Sequence, residues 1–216
     1  MTVNTIILQL GSGMLISLEI FAVTLISSLF LGLILCLGRM SKYPVLRLLI
    51  KFYISVMRGT PLLLQLLVVY FGPYFIFGIQ ISSSYRLTAV LIGFALNYAA
   101  YFAEIYRAGI ESIPQGQYEA AKVLGYSRPQ TFFCIIMPQV VKRILPPVTN
   151  ETITLVKDTS LAFGLAVTEM FTTAKQIAAA QTSMVPFVIA AIFYYVFNLL
   201  IAIAFSALEK KLSYYN

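Results

Sequence analysis

The chain has 216 residues, 60% of them hydrophobic and only 11% charged, and its mean hydropathy is +0.88. Soluble domains carry about 25% charged residues, so this composition excludes an ordinary soluble protein and suits one all-α integral membrane domain over 1–216. The formal net charge of +7 comes from basic residues lying between apolar runs, a pattern of membrane topology and not of nucleic-acid binding.

A helix of about 20 apolar residues crosses the hydrocarbon core, and five such spans are predicted. The first is roughly Met14 to Leu37. No Lys or Arg precedes Arg39, so this run lacks the positive flank of a signal peptide and is expected to be retained. The second span is roughly Ser55 to Phe77, and Arg58-Gly59-Thr60-Pro61 marks a constrained start. Arg58 is expected at the interface, and Gln65, in apolar surroundings, needs a partner. The third is roughly Leu87 to Tyr106 and the fourth roughly Ile144 to Leu165, interrupted by Pro146 and Pro147. The segment 169–184 is too polar to span and reads as a short interfacial helix or a loop. The fifth span is roughly Pro186 to Leu208.

Twelve of the fifteen Lys and Arg fall after the first span, around the insert between the third and fourth, and in the tail. An odd number of spans puts those regions on one side. The positive-inside rule then places the N-terminus outside and the C-terminus in the cytoplasm. There is no histidine, so the commonest metal ligand and general base is missing. Cys36 and Cys134 stand apart and suggest neither a zinc site nor a disulfide framework.

The insert EAAKVLGYSRPQTFFCIIMP, residues 119–138, interrupts this apolar chain with something different. Ser112 is placed to cap a helix with Pro114 in its first turn, and Gly125 suits the left-handed residue that ends it. Ser127 caps a second short helix with Pro129 in its first turn, and Pro138 marks the return to the membrane. Ala120 and Ala121 permit close approach by another surface. An amphipathic helix lying on lipid is the competing reading of the same residues.

Glu119-Ala120-Ala121, Gly125, Ile135 and Met137-Pro138 resemble the EAA loop of the membrane subunits of ABC importers, with Met137 in place of the usual Leu. The stretches at 8–25, 57–65, 101–125 and 150–162 are similar to the polar amino acid permease branch of that family. The resemblance implies a plasma-membrane permease subunit of a prokaryotic importer. It would pair with a second permease subunit, receive an amino acid from an external solute-binding protein, and dock a cytoplasmic ABC ATPase. The docking loop, about 108–138, would present Tyr118, Glu119, Ala120, Ala121, Lys122 and Gly125 to that ATPase. The chain has no G-x-x-x-x-G-K sequence of its own. ATP and Mg are therefore expected on the partner, with no cofactor in this chain.

Ionisable groups inside a membrane cost on the order of 2.5–3.5 kcal/mol each and mark function by default. In the fourth span Glu151, Thr154 and Asp158 share one helical face, with Ser160 beyond. In the third span Asn97, Tyr101 and Glu104 form a second polar stripe, and Glu104 is placed to pair with Arg107. Asp158, Glu151, Thr154, Ser160, Asn97, Tyr101, Thr60 and Gln65 are the candidate substrate contacts. The carboxylates favour a basic amino acid, whereas Lys157 and Arg58 suit glutamate or glutamine. An ion channel subunit would need a selectivity motif that is missing here.

Overall fold

The computed structural model describes residues 2–212, and among them the chain is built from helices. Helix α1, Val3–Arg39, starts at Thr2, whose side chain accepts from the Thr5 amide. It is apolar nearly all the way round, so hydrophobic periodicity cannot choose its packed face. A row of small residues chooses it: Gly13, Ser17, Thr24, Ser28, Gly32 and Cys36 are all buried. Lipid is as apolar as leucine, so membrane helices associate where small side chains let backbones approach. At Gly32 a Cβ would stand 2.8 Å from Cβ of Phe102, which makes this the tight crossing of α1 on α4, Tyr85–Glu111.

The second predicted span is not one straight helix. It is α2, Pro44–Gly59, followed by α3, Leu62–Phe77, and the two meet at a bend of 112°. Thr60 is extended, with φ −122° and ψ 150°. A residue that precedes proline is pushed out of the helical region, and Pro61 is that proline. The stretch from Ser55 to Gly59 therefore belongs to α2, which packs on α1 and α4 through Ile50, Tyr53, Ile54 and Met57.

Helix α4 carries the core. Phe94, Tyr98 and Phe102 recur at fourfold spacing, are fully buried, and pack with Leu66, Leu155 and Ala162 from three other segments. Beyond α4 the chain turns into α5, Gln115–Val123, then a single turn α6, Arg128–Gln130, and a π-turn at Thr131–Ile136. This runs on into α7, Met137–Asp158, which tightens into a 3₁₀ segment at Thr159–Leu165. Helix α8, Met170–Gln181, packs on α1 and on the last helix α9, Val185–Leu212. Four helical stretches are long and apolar enough to cross a membrane, or five when α2 and α3 count as one broken span.

Several sequence expectations change here. Ser112 does not cap the insert helix: α4 runs on to Glu111, Ser112 ends it, and Pro114 takes the N-cap position of α5. The second short helix is not separate either. Ser127 does cap it, in a reciprocal capping box with Gln130, but the helix then continues through Pro138 into the fourth span. Pro138 has no N–H for the carbonyl four residues back, and the backbone widens into the π-turn just before it. The fourth span thus begins well before Ile144, and Pro146 and Pro147 lie within it without ending it. The segment 169–184 is mostly helix rather than loop.

Candidate functional site

The acidic face of α7 lies against the tyrosine face of α4. Tyr98 donates its hydroxyl to Asp158 Oδ2 at 2.7 Å, so Asp158 draws its hydrogen bond from α4 and not from its neighbour Lys157. One turn along α4 and two turns back along α7, Tyr101 and Glu151 line a cavity of about 540 Å³ together with Arg58, Glu104, Arg107 and Arg143. Arg58, expected at the interface, sits with its guanidinium carbon 5.3 Å from the Tyr101 ring centroid, a cation–π contact.

The charges around this cavity divide into two sets. Glu104 accepts from Arg107 Nε at 3.0 Å and Nη2 at 2.7 Å, and Arg107 also bonds Glu111. Arg39 approaches Glu104 at 3.8 Å. Arg143 donates to the Ser112 carbonyl. These groups are engaged with one another and clamp the ends of α1, α4 and α7. Arg58 and Glu151 make no ion pair among the described residues, and each is within electrostatic reach of the other. An opposite pair left unjoined across a cavity can each accept a counter-charge from a third body. A zwitterion carries both counter-charges.

The other predicted contacts are not gathered into that cavity. Thr60, Gln65 and Asn97 form one knot at the α2–α3 bend. Gln65 Nε2 donates to the Met57 carbonyl at 2.9 Å and to Thr60 Oγ1 at 2.8 Å. Asn97 Nδ2 donates to the same Met57 carbonyl at 3.0 Å and to Gln65 Oε1 at 2.9 Å. Helix α2 has ended here, so its last carbonyls lack intrahelical partners, and these amides satisfy them. Thr154 and Ser160 bond back to the carbonyls of Asn150 and Lys157. Sequence reasoning passed over Tyr98. Its signal was position: it shares a helical turn with Tyr101 on the only polar stretch of that span.

The insert is a rigid elbow. Ile113, Tyr118, Ile136 and Val140 form a small core beneath it. The two alanines part ways: Ala121 is 1% exposed, while Ala120 faces out. Glu119 and Lys122 are exposed beside Val123 and Leu124, apolar residues 87% and 73% exposed. Gly125 takes φ +80° at the turn that follows, a conformation suited to glycine.

Residues 6–214 match the family of inner membrane components of binding-protein-dependent transport systems. The chain is similar to a probable amino-acid ABC transporter permease protein of Bacillus subtilis, 42% identical and covering 97% of this chain and 90% of the relative. It is similar to the arginine transport system permease protein of the same organism, at 38% identity with 93% and 90% covered. Among solved structures it resembles an amino acid ABC transporter crystallised with histidines, with a TM-score of 0.85, 33% identity and 94% of each chain covered.

Proposed function

Given that the chain belongs to the binding-protein-dependent transport system inner membrane components, multi-pass proteins of the bacterial inner membrane, we propose that it is the permease subunit of an ATP-driven importer of basic amino acids. The observation that carries this reading is the cavity in which Arg58 and Glu151 face one another unpaired. A free amino acid bridges them, its α-carboxylate on Arg58 and its ammonium on Glu151. Asp158, held by Tyr98 further along the same face of α7, receives a cationic side chain. The sequence relatives include an arginine permease, which fits a cationic substrate.

The N-terminus lies outside and the C-terminus in the cytoplasm, which puts the elbow at about 108–138 on the ATPase side. Glu119, Ala120 and Lys122 dock on the ATPase, while Tyr118, Ala121 and Gly125 hold the shape of the elbow. A second permease subunit completes the pathway, an external binding protein delivers the substrate, and the ATPase alone binds ATP and Mg. Closure of the ATPases moves the elbows, and because the elbow continues without a break into α7, that motion reaches Glu151 and Asp158 along one helix.

Reconstitution with partner subunits and binding protein tests this. Labelled arginine, lysine or histidine should be taken up with ATP, and unlabelled glutamate should not compete. Asp158→Asn should weaken binding of the basic amino acid about tenfold or more, the size of a lost charged hydrogen bond. Uptake of glutamine unaffected by Asp158→Asn would overturn the basic-substrate reading.

A further inference from the structure

A second hollow lies at the turn between α1 and α2. It has a volume of about 510 Å³ and is lined by Arg39, Pro44, Arg47, Leu48 and Lys51. Three of these five residues are cations and none is an acid. Arg39 turns its Nε towards Glu104 at 3.8 Å, an ion pair without a hydrogen bond. Arg47 and Lys51 make no ion pair among the described residues. Cations gathered round one hollow repel each other, and an anion seated among them removes that cost.

Helix α2 adds a second, independent feature. Its residues fall into three stripes. Ile50, Tyr53, Ile54 and Met57 face α1 and α4. Arg47 and Lys51, at i and i+4, face the hollow. Val45, Leu48 and Phe52, at i, i+3 and i+7, form an exposed apolar stripe that borders the cations, since Leu48 also lines the hollow. A soluble anion would use the cations alone. An anion that carries hydrocarbon chains also uses the stripe. Basic pockets between spans on the cytoplasmic side suit such headgroups.

We propose that this hollow binds the phosphate of an anionic phospholipid, with the acyl chains lying along the Val45, Leu48 and Phe52 stripe of α2. The proposal rests on the membrane orientation given above, which places the α1–α2 turn at the cytoplasmic leaflet. Bound there, the lipid would brace α2, whose far end carries Arg58 and the knot at the bend.

The test uses the assembled complex in nanodiscs containing phosphatidylcholine and phosphatidylglycerol. After release into detergent, phosphatidylglycerol retained on the complex is counted by native mass spectrometry. Arg47→Gln with Lys51→Gln should lower retention about 25-fold, about fivefold for each charge, whereas Arg128→Gln on the elbow should leave it unchanged. The charge-keeping swap Arg47→Lys with Lys51→Arg should restore it, which separates lost binding from lost folding. Retention undiminished in the neutral variant, or lost equally in the swap, would overturn the site. Displacement of the lipid by inorganic phosphate at equal concentration would overturn the lipid assignment in favour of a soluble anion. Amino-acid-stimulated ATP hydrolysis is measured in the same discs with the external binding protein added. A complex that keeps the lipid but shows no stimulation refutes the transport reading and leaves this site standing.

Discussion

Glu169 is the most completely buried carboxylate described, at 0% exposure, and it lines neither of the two hollows above. It caps α8 by accepting from the amides of Phe171 and Thr172, both at 2.7 Å, and it also accepts from Ser17 of α1 and Tyr194 of α9, each at 3.3 Å. One side chain thus ties three helices together. Glu169→Ala removes the cap and leaves these donors unpaired, so it should lower the unfolding free energy by about 2 kcal/mol or more, read as a drop in thermal midpoint. Burial pushes the carboxyl above its ordinary value of 4.5, against the opposing pull of those donors. The folded state therefore keeps its proton where the unfolded chain has released it. The stability tied to that proton is complete below 4.5 and falls as pH rises through the raised folded value. A plot of thermal midpoint against pH should show this slope in the wild type and lose it in Glu169→Gln.

The break between α2 and α3 shows how a polar residue serves an element. Arg58-Gly59-Thr60-Pro61 stops one helix and starts another, and the helix-end carbonyls left free there take donors from elsewhere in the fold. Asn97, from α4, holds both sides of the break at once. Asn97→Ala should cost about 1–3 kcal/mol, the penalty for an unsatisfied buried acceptor, and Asn97→Asp should not restore it because it offers no amide donor. The tight crossing of α1 on α4 makes a complementary prediction. Gly32→Ala places a methyl 2.8 Å from Phe102, and overpacking of this kind costs about 1–3 kcal/mol. A variant with an unchanged thermal midpoint would mean that α1 is free to move away from α4.

For the whole molecule the decisive matters are which way it faces and where force enters. Cys134 is exposed in the elbow, and Cys36 is buried in α1. A membrane-impermeant maleimide should therefore label Cys134 in inverted vesicles stripped of ATPase and leave intact cells unlabelled. Labelling in intact cells would reverse the proposed topology. The two alanines of the elbow separate docking from folding. Ala120→Arg, on the outward face, should release the ATPase from the complex with little change in thermal midpoint. Ala121→Leu, at the buried position of α5, should lower the midpoint by the equivalent of about 1–3 kcal/mol. Co-purification of the ATPase and a melting curve read the two effects apart.

Composition, apolar run length and cap chemistry are local properties, and they were readable directly. They predicted an all-helical membrane protein, the approximate centres of its spans, the Ser127 cap, the left-handed Gly125 and the Glu104–Arg107 pair. The motif spacing of Glu119, Gly125 and Pro138 pointed to the permease family. What sequence alone left open depended on partners distant in the chain. Apolar character all round α1 could not name its packed face, since in lipid the choice is made by small residues meeting another backbone. Nothing in the sequence showed that Thr60, Gln65 and Asn97, read as candidate ligands, join in one knot at the bend, where Gln65 and Asn97 share the Met57 carbonyl. Arg58 was expected at the interface, and only the fold shows that it lies over Tyr101 in the cavity that Glu151 also lines. A polar residue in a span declares that it needs a partner, but only the tertiary structure decides whether that partner is another helix or remains to be supplied by a substrate.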